Sequence, residues 1–357
     1  MVRLNLYVNS PSPYSGLAST KKGIGYAMVK IIFLLSLLTL GLIFNGAGIL
    51  SSLVQSAYSY ALPILPAQNG ANNSTKLIIL AFDDSNKSQF TLAKPIMDKY
   101  DFKGSFFTVC NYVGANKSLM TWQDIKTLQK EGHDIESHSM THTNLDSKSE
   151  QNLVYEIGGS KQCLLDHVGV NSKIFAYPAS SGHSNATVVN VVSKYYDLAR
   201  TGDAPLSFLH CNGYKKTANN CMPFNKKGKL TFENRYAIRN WSDRPKPLQP
   251  NANISYNNSQ MFSQFVNEVN LEENYNKNGC INAIPIVVYH YFVVNSNLKY
   301  LPEKSDTDVG LFSAEMKYLH DNGFKVIKMS DIGYDQSNNY LYIKEPFTND
   351  NTLAKNC

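Results

Sequence analysis

The sequence predicts an α/β fold: a parallel sheet whose strands are joined by crossover helices. Two observations carry this expectation. Short, strongly apolar runs of strand length alternate with stretches of helical spacing, the pattern of repeated strand–helix–strand units. The composition, 17% charged and 43% apolar over 357 residues, is that of a globular chain, with room for one large α/β domain or two smaller ones.

Taken in order, Leu77–Phe82 is wholly apolar and reads as a buried strand. Thr91–Tyr100 places Leu92, Ile96 and Met97 on one side of a helix, and Lys103–Val109 is the next strand. Trp122–Lys130 is an amphipathic helix ending near Gly132, with Thr121 as its N-cap and Asp124 in an acidic first turn. Then follow a strand at His133–Ser137, a helix at Glu150–His167, a strand at Lys173–Tyr177, a helix at Ala186–Tyr195 and a strand at Asp197–Arg200. Residues 202–260 break the rhythm with many Asn and Lys and with Pro245, Pro247 and Pro250, and read as an irregular insertion. A helix at Gln260–Glu272, an apolar strand at Ile284–Tyr289, a helix near Ser313–Asn322 and a strand at Lys325–Met329 resume it.

The N-terminal part reads differently. Residues 1–30 carry Arg3, Lys21, Lys22 and Lys30, and residues 31–54 carry no charge. A run of that length can span ~30 Å of hydrocarbon, and the upstream positive charge places residues 1–30 in the cytoplasm and the rest outside. Small residues near Ser59–Ala61 also suit a cleaved signal peptide, though a 30-residue lead-in is long for one and favours the anchor. Both readings, anchor or signal, export residues 76–332 behind a linker at 55–75, with an Asn-rich tail at 333–357. Residues 1–61 hold no Asp or Glu, so removing their four cations leaves 30 basic against 28 acidic residues. That near-neutral body lacks the basic run that nucleic acid would require.

Export also suits the glycosylation sequons, which start at Asn72, Asn73, Asn86, Asn116, Asn185, Asn240, Asn253 and Asn257. The six cysteines permit disulfides. Cys211 and Cys221 bracket a short polar loop and are the expected pair, whereas Cys110 follows an apolar strand and reads as a buried thiol.

Two segments carry the chemistry. Asp83 and Asp84 end the first strand, and His138 and His142 stand four apart after the third. One carboxylate and two imidazoles make the three-ligand set of a catalytic metal site with an open position. If the histidine segment is helical, the two rings share one face.

With these segments in view, Lys76–Ile332 resembles the polysaccharide deacetylases, carbohydrate esterase family 4. The resemblance rests on Ala81-Phe82-Asp83-Asp84, on His138-Ser139-Met140-Thr141-His142, and on the late Val288-Tyr289-His290. It implies a distorted (β/α) barrel of about seven strands, here preceded by one membrane or signal helix. It further implies that Asp84, His138 and His142 hold a divalent metal, zinc by expectation. Asp83 would be the general base and His290 the general acid.

The family's third motif is matched by Ala176-Tyr177-Pro178-Ala179, which assigns an oxyanion-binding backbone N–H to Ala179 and a pocket position to Tyr177. The arginine that pairs with the base in this motif is replaced by Ala176; Arg200 or Arg239 is the expected substitute. Trp241 is a candidate wall of the acetyl pocket. The implied substrate is an N-acetylated polysaccharide or surface glycan. The alternatives are a non-sugar amide or ester at the same site, or a catalytically silent glycan-binding protein on the same fold.

Overall fold

The computed structural model describes residues 76–202, 204–209, 234–243, 257–277, 280–294, 306–337 and 340–344, and the backbone of 355–356. All belong to one compact unit, Gln68–Cys357. The expected membrane or signal segment, the linker and the Cys211/Cys221 loop lie outside the described residues. No helix among those described is long and apolar enough to cross a membrane.

The first half runs β1 (Leu77–Phe82), α1 (Lys94–Asp98), β2 (Ser105–Thr108), α2 (Trp122–Lys130), β3 (Asp134–Ser137), α3 (Glu150–Leu153), α4 (Ser160–Val168), β4 (Ile174–Ala176), α5 (Ala186–Tyr195) and β5 (Leu198–Thr201). Helix α2 has both halves of a capping box: Asp124 N donates to Thr121 Oγ1 at 3.2 Å, and Thr121 N donates to Asp124 Oδ2 at 2.7 Å. The expected continuous helix from Glu150 is present, but its turns widen to π geometry over Val154–Gly159 between α3 and α4. A π segment over Gln89–Ala93 likewise precedes α1.

The second half holds β6 (Leu206–Phe208), β7 (Ile238–Arg239), β8 (Trp241–Ser242), α6 (Asn258–Asn270), β9 (Cys280–Ile281), β10 (Ala283–Tyr289), β11 (Tyr291–Val293), β12 (Asp306–Asp308), α7 (Val309–Asp321), β13 (Lys325–Ile327), β14 (Ile332–Asp335) and β15 (Tyr340–Ile343). The main sheet orders its strands β6-β10-β1-β2-β3-β4-β5-β7, with β8 on β10 and β13 on β1. Every pairing is parallel except β6 with β10.

Residues 238–242 bring the sheet's two sides together. Ile238 and Arg239 pair with Arg200 and Thr201 on β5, and Trp241 and Ser242 pair with Val287 and Val288 on β10. One extended segment, stepping at Asn240, thus links both sides of the sheet into a nearly closed barrel. This corrects the reading of 202–260 as an irregular insertion, because β6, β7 and β8 all join the main sheet. Two-residue strands are too short to show a period of two in sequence.

The core explains why the strands are apolar throughout. On β1, Leu77, Ile79 and Ala81 pack into one cluster with Phe107, Ala176, Ile238, Ile286 and Val288. Ile78, Leu80 and Phe82 pack into another with residues of α2, α6 and α7. Strand side chains alternate, so a strand covered on both faces must be apolar at every position. Each such side chain, fully buried, contributes roughly 1.5–3 kcal/mol.

The expected boundary at 332 falls inside a β14–β15 hairpin, in which Ile332 pairs with Ile343. Ile332, Leu341 and Ile343 are buried with the β1 side of the core, so the tail supplies core residues as far as Ile343.

Candidate metal centre and active site

The expected site residues stand where strands end. Asp83 and Asp84 follow β1, His138 follows β3, Tyr177–Ala179 follow β4, and His290 follows β10. Barrel enzymes assemble their chemistry at this end. Asp83 continues the alternation of Leu77, Ile79 and Ala81 and is buried. Asp84 and Ser85 take φ of 74° and 57°, a left-handed step that turns the chain and separates the two carboxylates. Among the described residues, seven non-glycine residues have positive φ, and six of them, Asp84, Ser85, Ser139, His142, Ala179 and Ser180, lie in these loops. Such conformations cost of order 1–3 kcal/mol each and concentrate at functional sites.

The histidine segment is not helical; it is a loop leaving β3. The left-handed turns at Ser139 and His142 bring the rings together instead, with centroids 4.8 Å apart and planes at 73°. Asp84 Oδ1 lies 3.5 Å from His138 Nε2 and 3.3 Å from His142 Nε2. Metal–ligand arms of ~2.0–2.1 Å at tetrahedral angles put donor atoms about 3.3 Å apart, so this spacing fits zinc or a similar ion.

Two further observations agree. Asp84 Oδ1 is buried without a hydrogen bond among the described residues. His138 Nδ1 donates to the Ala176 carbonyl at 2.9 Å, which leaves the Nε2 lone pair facing Asp84. Ala176, where an arginine was expected, thus contributes its backbone carbonyl.

The site is electrostatically tight. Burial pushes the Asp84 carboxyl up, but the imidazoles around it, His138 foremost, outweigh burial and hold it well below the usual range. Burial opposes the imidazolium of His138, but Asp83 and Asp84 outweigh it and raise its pKa. Burial and the neighbouring His138 keep His142 low. His290 is also held low, by burial first.

Of the two candidate arginines, Arg200 reaches Asp83. Its Nη2 donates to Asp83 Oδ1, and its Nη1 donates to Asn240 Oδ1 at 3.1 Å. The guanidinium also lies over the Phe107 ring, 4.1 Å from the centroid. Arg239 is directed elsewhere, its Nη1 donating to the Gly202 carbonyl at 3.1 Å.

Ala179 sits in a tight turn at φ 48°, beside Tyr177, which is buried. The Tyr177 hydroxyl has no hydrogen bond among the described residues. Trp241 packs in the larger core cluster with Phe82, Val287 and Tyr289.

Several contributors had no signal in sequence. Gln89 is fully buried, and its Nε2 donates both to the Asp83 carbonyl and, at 2.7 Å, to the His290 carbonyl. Tyr112 lies beside His142 with ring centroids 6.2 Å apart. Cys110 is not a free thiol but forms a disulfide with Cys163; the even cysteine count permitted this but could not choose the partner. Asn86 and Asn240, two of the sequon asparagines, are buried and are no surface acceptors.

The remaining described histidines have local partners. His133 accepts from Gly104 N at 3.0 Å, and burial takes it down to about 4. His133 also lies with Asp98 and Glu131 in a ligand-like group, but Lys94 Nζ already bridges those carboxylates at 2.6 and 2.5 Å.

Known proteins match part of this chain. Residues 70–196 match the family model for polysaccharide deacetylase. YxkH of Bacillus subtilis is 26% identical over 121 residues, 34% of this chain and 42% of its own. A bifunctional xylanase/deacetylase of Pseudobutyrivibrio xylanivorans is 26% identical over 133 residues, 36% of this chain and 21% of its own. The match thus spans less than half the length of these curated relatives. Among solved structures, a family 4 acetyl xylan esterase from Clostridium thermocellum with a cobalt ion aligns over 71% of this chain and 89% of its own, at 18% identity and a TM-score of 0.43. Residues 70–196 thus resemble the polysaccharide deacetylases.

Proposed function

We propose that the protein is a metal-dependent deacetylase that hydrolyses N-acetyl groups of a polysaccharide or surface glycan. The observation that carries this reading is the convergence of Asp84 Oδ1 with His138 Nε2 and His142 Nε2 at 3.5 and 3.3 Å, beside a second, separately paired carboxylate. Asp84, His138 and His142 would hold a divalent cation, for which zinc suits the mixed nitrogen and oxygen donors. When bound, the ion supplies Lewis-acid polarisation of the acetyl carbonyl and a lowered pKa for the attacking water.

The protein's own groups do the rest. Asp83, held in position by Arg200, accepts the water's proton. The Ala179 N–H donates to the oxygen on which charge develops, whereas Tyr177 and Trp241, expected at the pocket, pack in the outer core clusters instead. His290 passes a proton to the departing amine, which leaves poorly without one. Gln89 holds the backbones of Asp83 and His290 at a fixed separation.

Export belongs to the same reading. The N-terminal apolar segment and the Cys110–Cys163 disulfide both favour an oxidising compartment, on the outer face of a membrane or beyond it.

The deciding experiment combines metal analysis of the purified full chain with acetate release from N-acetylated oligosaccharides. Stoichiometric metal and glycan-dependent acetate are expected. Bound metal without acetate from any glycan would favour a non-sugar substrate or a silent glycan-binding protein. Absence of stoichiometric metal, with no change in an Asp84→Ala variant, would defeat the metal reading.

A further inference from the structure

A groove of about 520 Å³ lies outside the metal centre, between the N-terminus of α2 and the π-widened turn joining α3 to α4. That volume is in the range of ligand sites. Its lining combines the rings of Trp122 and Tyr155 with Met140 and the polar side chains of Gln162 and Asp166. Tyr155 is 50% exposed although it is a large aromatic. Gln162 Nε2 donates to Asp166 Oδ1 at 2.7 Å, which fixes a side-chain amide and a carboxylate side by side at the rim.

The groove shares its walls with the loop that bears His138 and His142. On one side, Cys110 N donates to the Ser139 carbonyl at 3.1 Å and Asn111 N to the Met140 carbonyl at 2.9 Å. The same short turn places Tyr112 against His142 on its other face. On the opposite side, Met140 N donates to the Glu156 carbonyl at 3.1 Å. The Glu156 carboxylate accepts from Thr141 N at 2.9 Å and Thr141 Oγ1 at 2.6 Å. A π turn leaves backbone groups out of the usual ladder and often marks a functional position. Here it grips the ligand-bearing loop and presents Tyr155 and Gly159 to the groove.

We infer that this groove is a subsite for a further sugar unit of the glycan whose acetyl group reaches the metal centre. The inference rests on the proposed function and extends it to residues beyond the reacting bond. A pyranose ring has C–H faces that pack on aromatic rings and hydroxyls that pair with amides and carboxylates. The groove offers both, beside the loop at which a polymer's acetyl group would be held.

The test uses Tyr155→Ala and Gln162→Ala, both at exposed positions, in the full metal-loaded chain. KM is compared for a long N-acetylglucosamine oligomer and for free N-acetylglucosamine. Each variant is expected to raise the oligomer-to-monomer KM ratio about tenfold, with kcat on the oligomer changing much less. An unchanged ratio in an active enzyme overturns the subsite and leaves the deacetylase reading intact. If no glycan releases acetate, titration calorimetry with the oligomer decides. Binding that Tyr155→Ala weakens about tenfold upholds the subsite while the deacetylase reading falls, and binding that is absent, or indifferent to the substitution, overturns the subsite.

Discussion

Arg200 and Asp83 meet inside the barrel although 117 residues separate them: the Arg200 Nη2 donates to Asp83 Oδ1, with side chains only 4% and 6% exposed. Parallel pairing of Ala176 with Arg200 puts this arginine on the stave next to the position where one was expected. Removing Arg200 leaves a buried carboxylate unpaired and costs about 3–5 kcal/mol of stability. Arg200→Lys is therefore the informative variant. It keeps the charge but loses the two-pronged donation to Asp83 and Asn240. Acetate release is expected to fall at least tenfold. Full activity in the variant would remove Arg200 from the mechanism.

Gln89 makes a second, independent prediction. Its single amide group holds the Asp83 and His290 carbonyls, so replacing it with Leu frees two strand ends that carry the proposed base and acid. Misplacements of about an ångström can cost on the order of a hundredfold in rate. Gln89→Leu is expected to lower kcat about tenfold to a hundredfold while metal affinity, measured by titration, stays the same. Loss of metal together with activity would mean that the variant disturbs the ligand loop rather than the clamp.

Metal removal should be legible in stability as well as in rate. A ligand that binds only the folded chain stabilises it by mass action, and the three proposed ligands come from two separate loops. Chelation is expected to lower Tm and abolish acetate release, with zinc restoring both. His142→Ala, at the more exposed ligand, should weaken metal binding without unfolding the protein. A chelated protein with unaltered Tm and activity would leave the triad without a metal role.

The Cys110–Cys163 disulfide spans 53 residues and ties the turn beside the ligand loop to α4. Closing a loop of this size is worth typically 2–4 kcal/mol. Cys163→Ser is expected to lose stability of that order, and reductant should bring the wild-type protein to the same Tm. A disulfide that contributes nothing would show equal Tm in oxidised and reduced samples.

What could be read from sequence, and what could not, follows from the range of each signal. Leu77–Phe82, Trp122–Lys130 and Ala186–Tyr195 were legible because apolar runs, caps and helical spacing are local. The candidate site was legible in outline because Asp83, Asp84, His138, His142 and His290 stand at strand ends, where chemistry-bearing residue types contrast with apolar neighbours. The partner of Asp83 was narrowed only to Arg200 or Arg239, since pairing across the barrel is a tertiary fact. The β7–β8 segment, the β14–β15 hairpin and the Gln89 clamp were not legible. Two-residue strands carry no period, an Asn-rich tail masks its few apolar residues, and a buried glutamine looks like any other. The histidine loop was open to a helical reading because four-residue spacing suits both a helix turn and a loop with left-handed steps.

Glu136 gives the last prediction, through pH. It lies on β3 and is buried, and its Oε2 accepts from Ser172 Oγ at 2.6 Å and from Lys173 N and Ile174 N at 3.0 Å each. Burial, with Asp134 nearby, pushes the carboxyl up to about 8 against the pull of those donors. An unfolded chain would release this proton at an ordinary glutamate pKa of ~4.3. Between those values the folded state holds a proton that the unfolded state has lost, so stability falls as pH rises. The group's contribution is fully present below the unfolded pKa and is gone once pH has passed the folded one. Glu136→Gln stays neutral throughout and keeps an oxygen for the same donors. Urea denaturation at pH 5 and pH 8 should show the wild-type protein losing more stability than Glu136→Gln over that interval, by about 1 kcal/mol or more. Equal losses in the two proteins would mean that Glu136 is ionised in the folded state and that its three donors outweigh its burial.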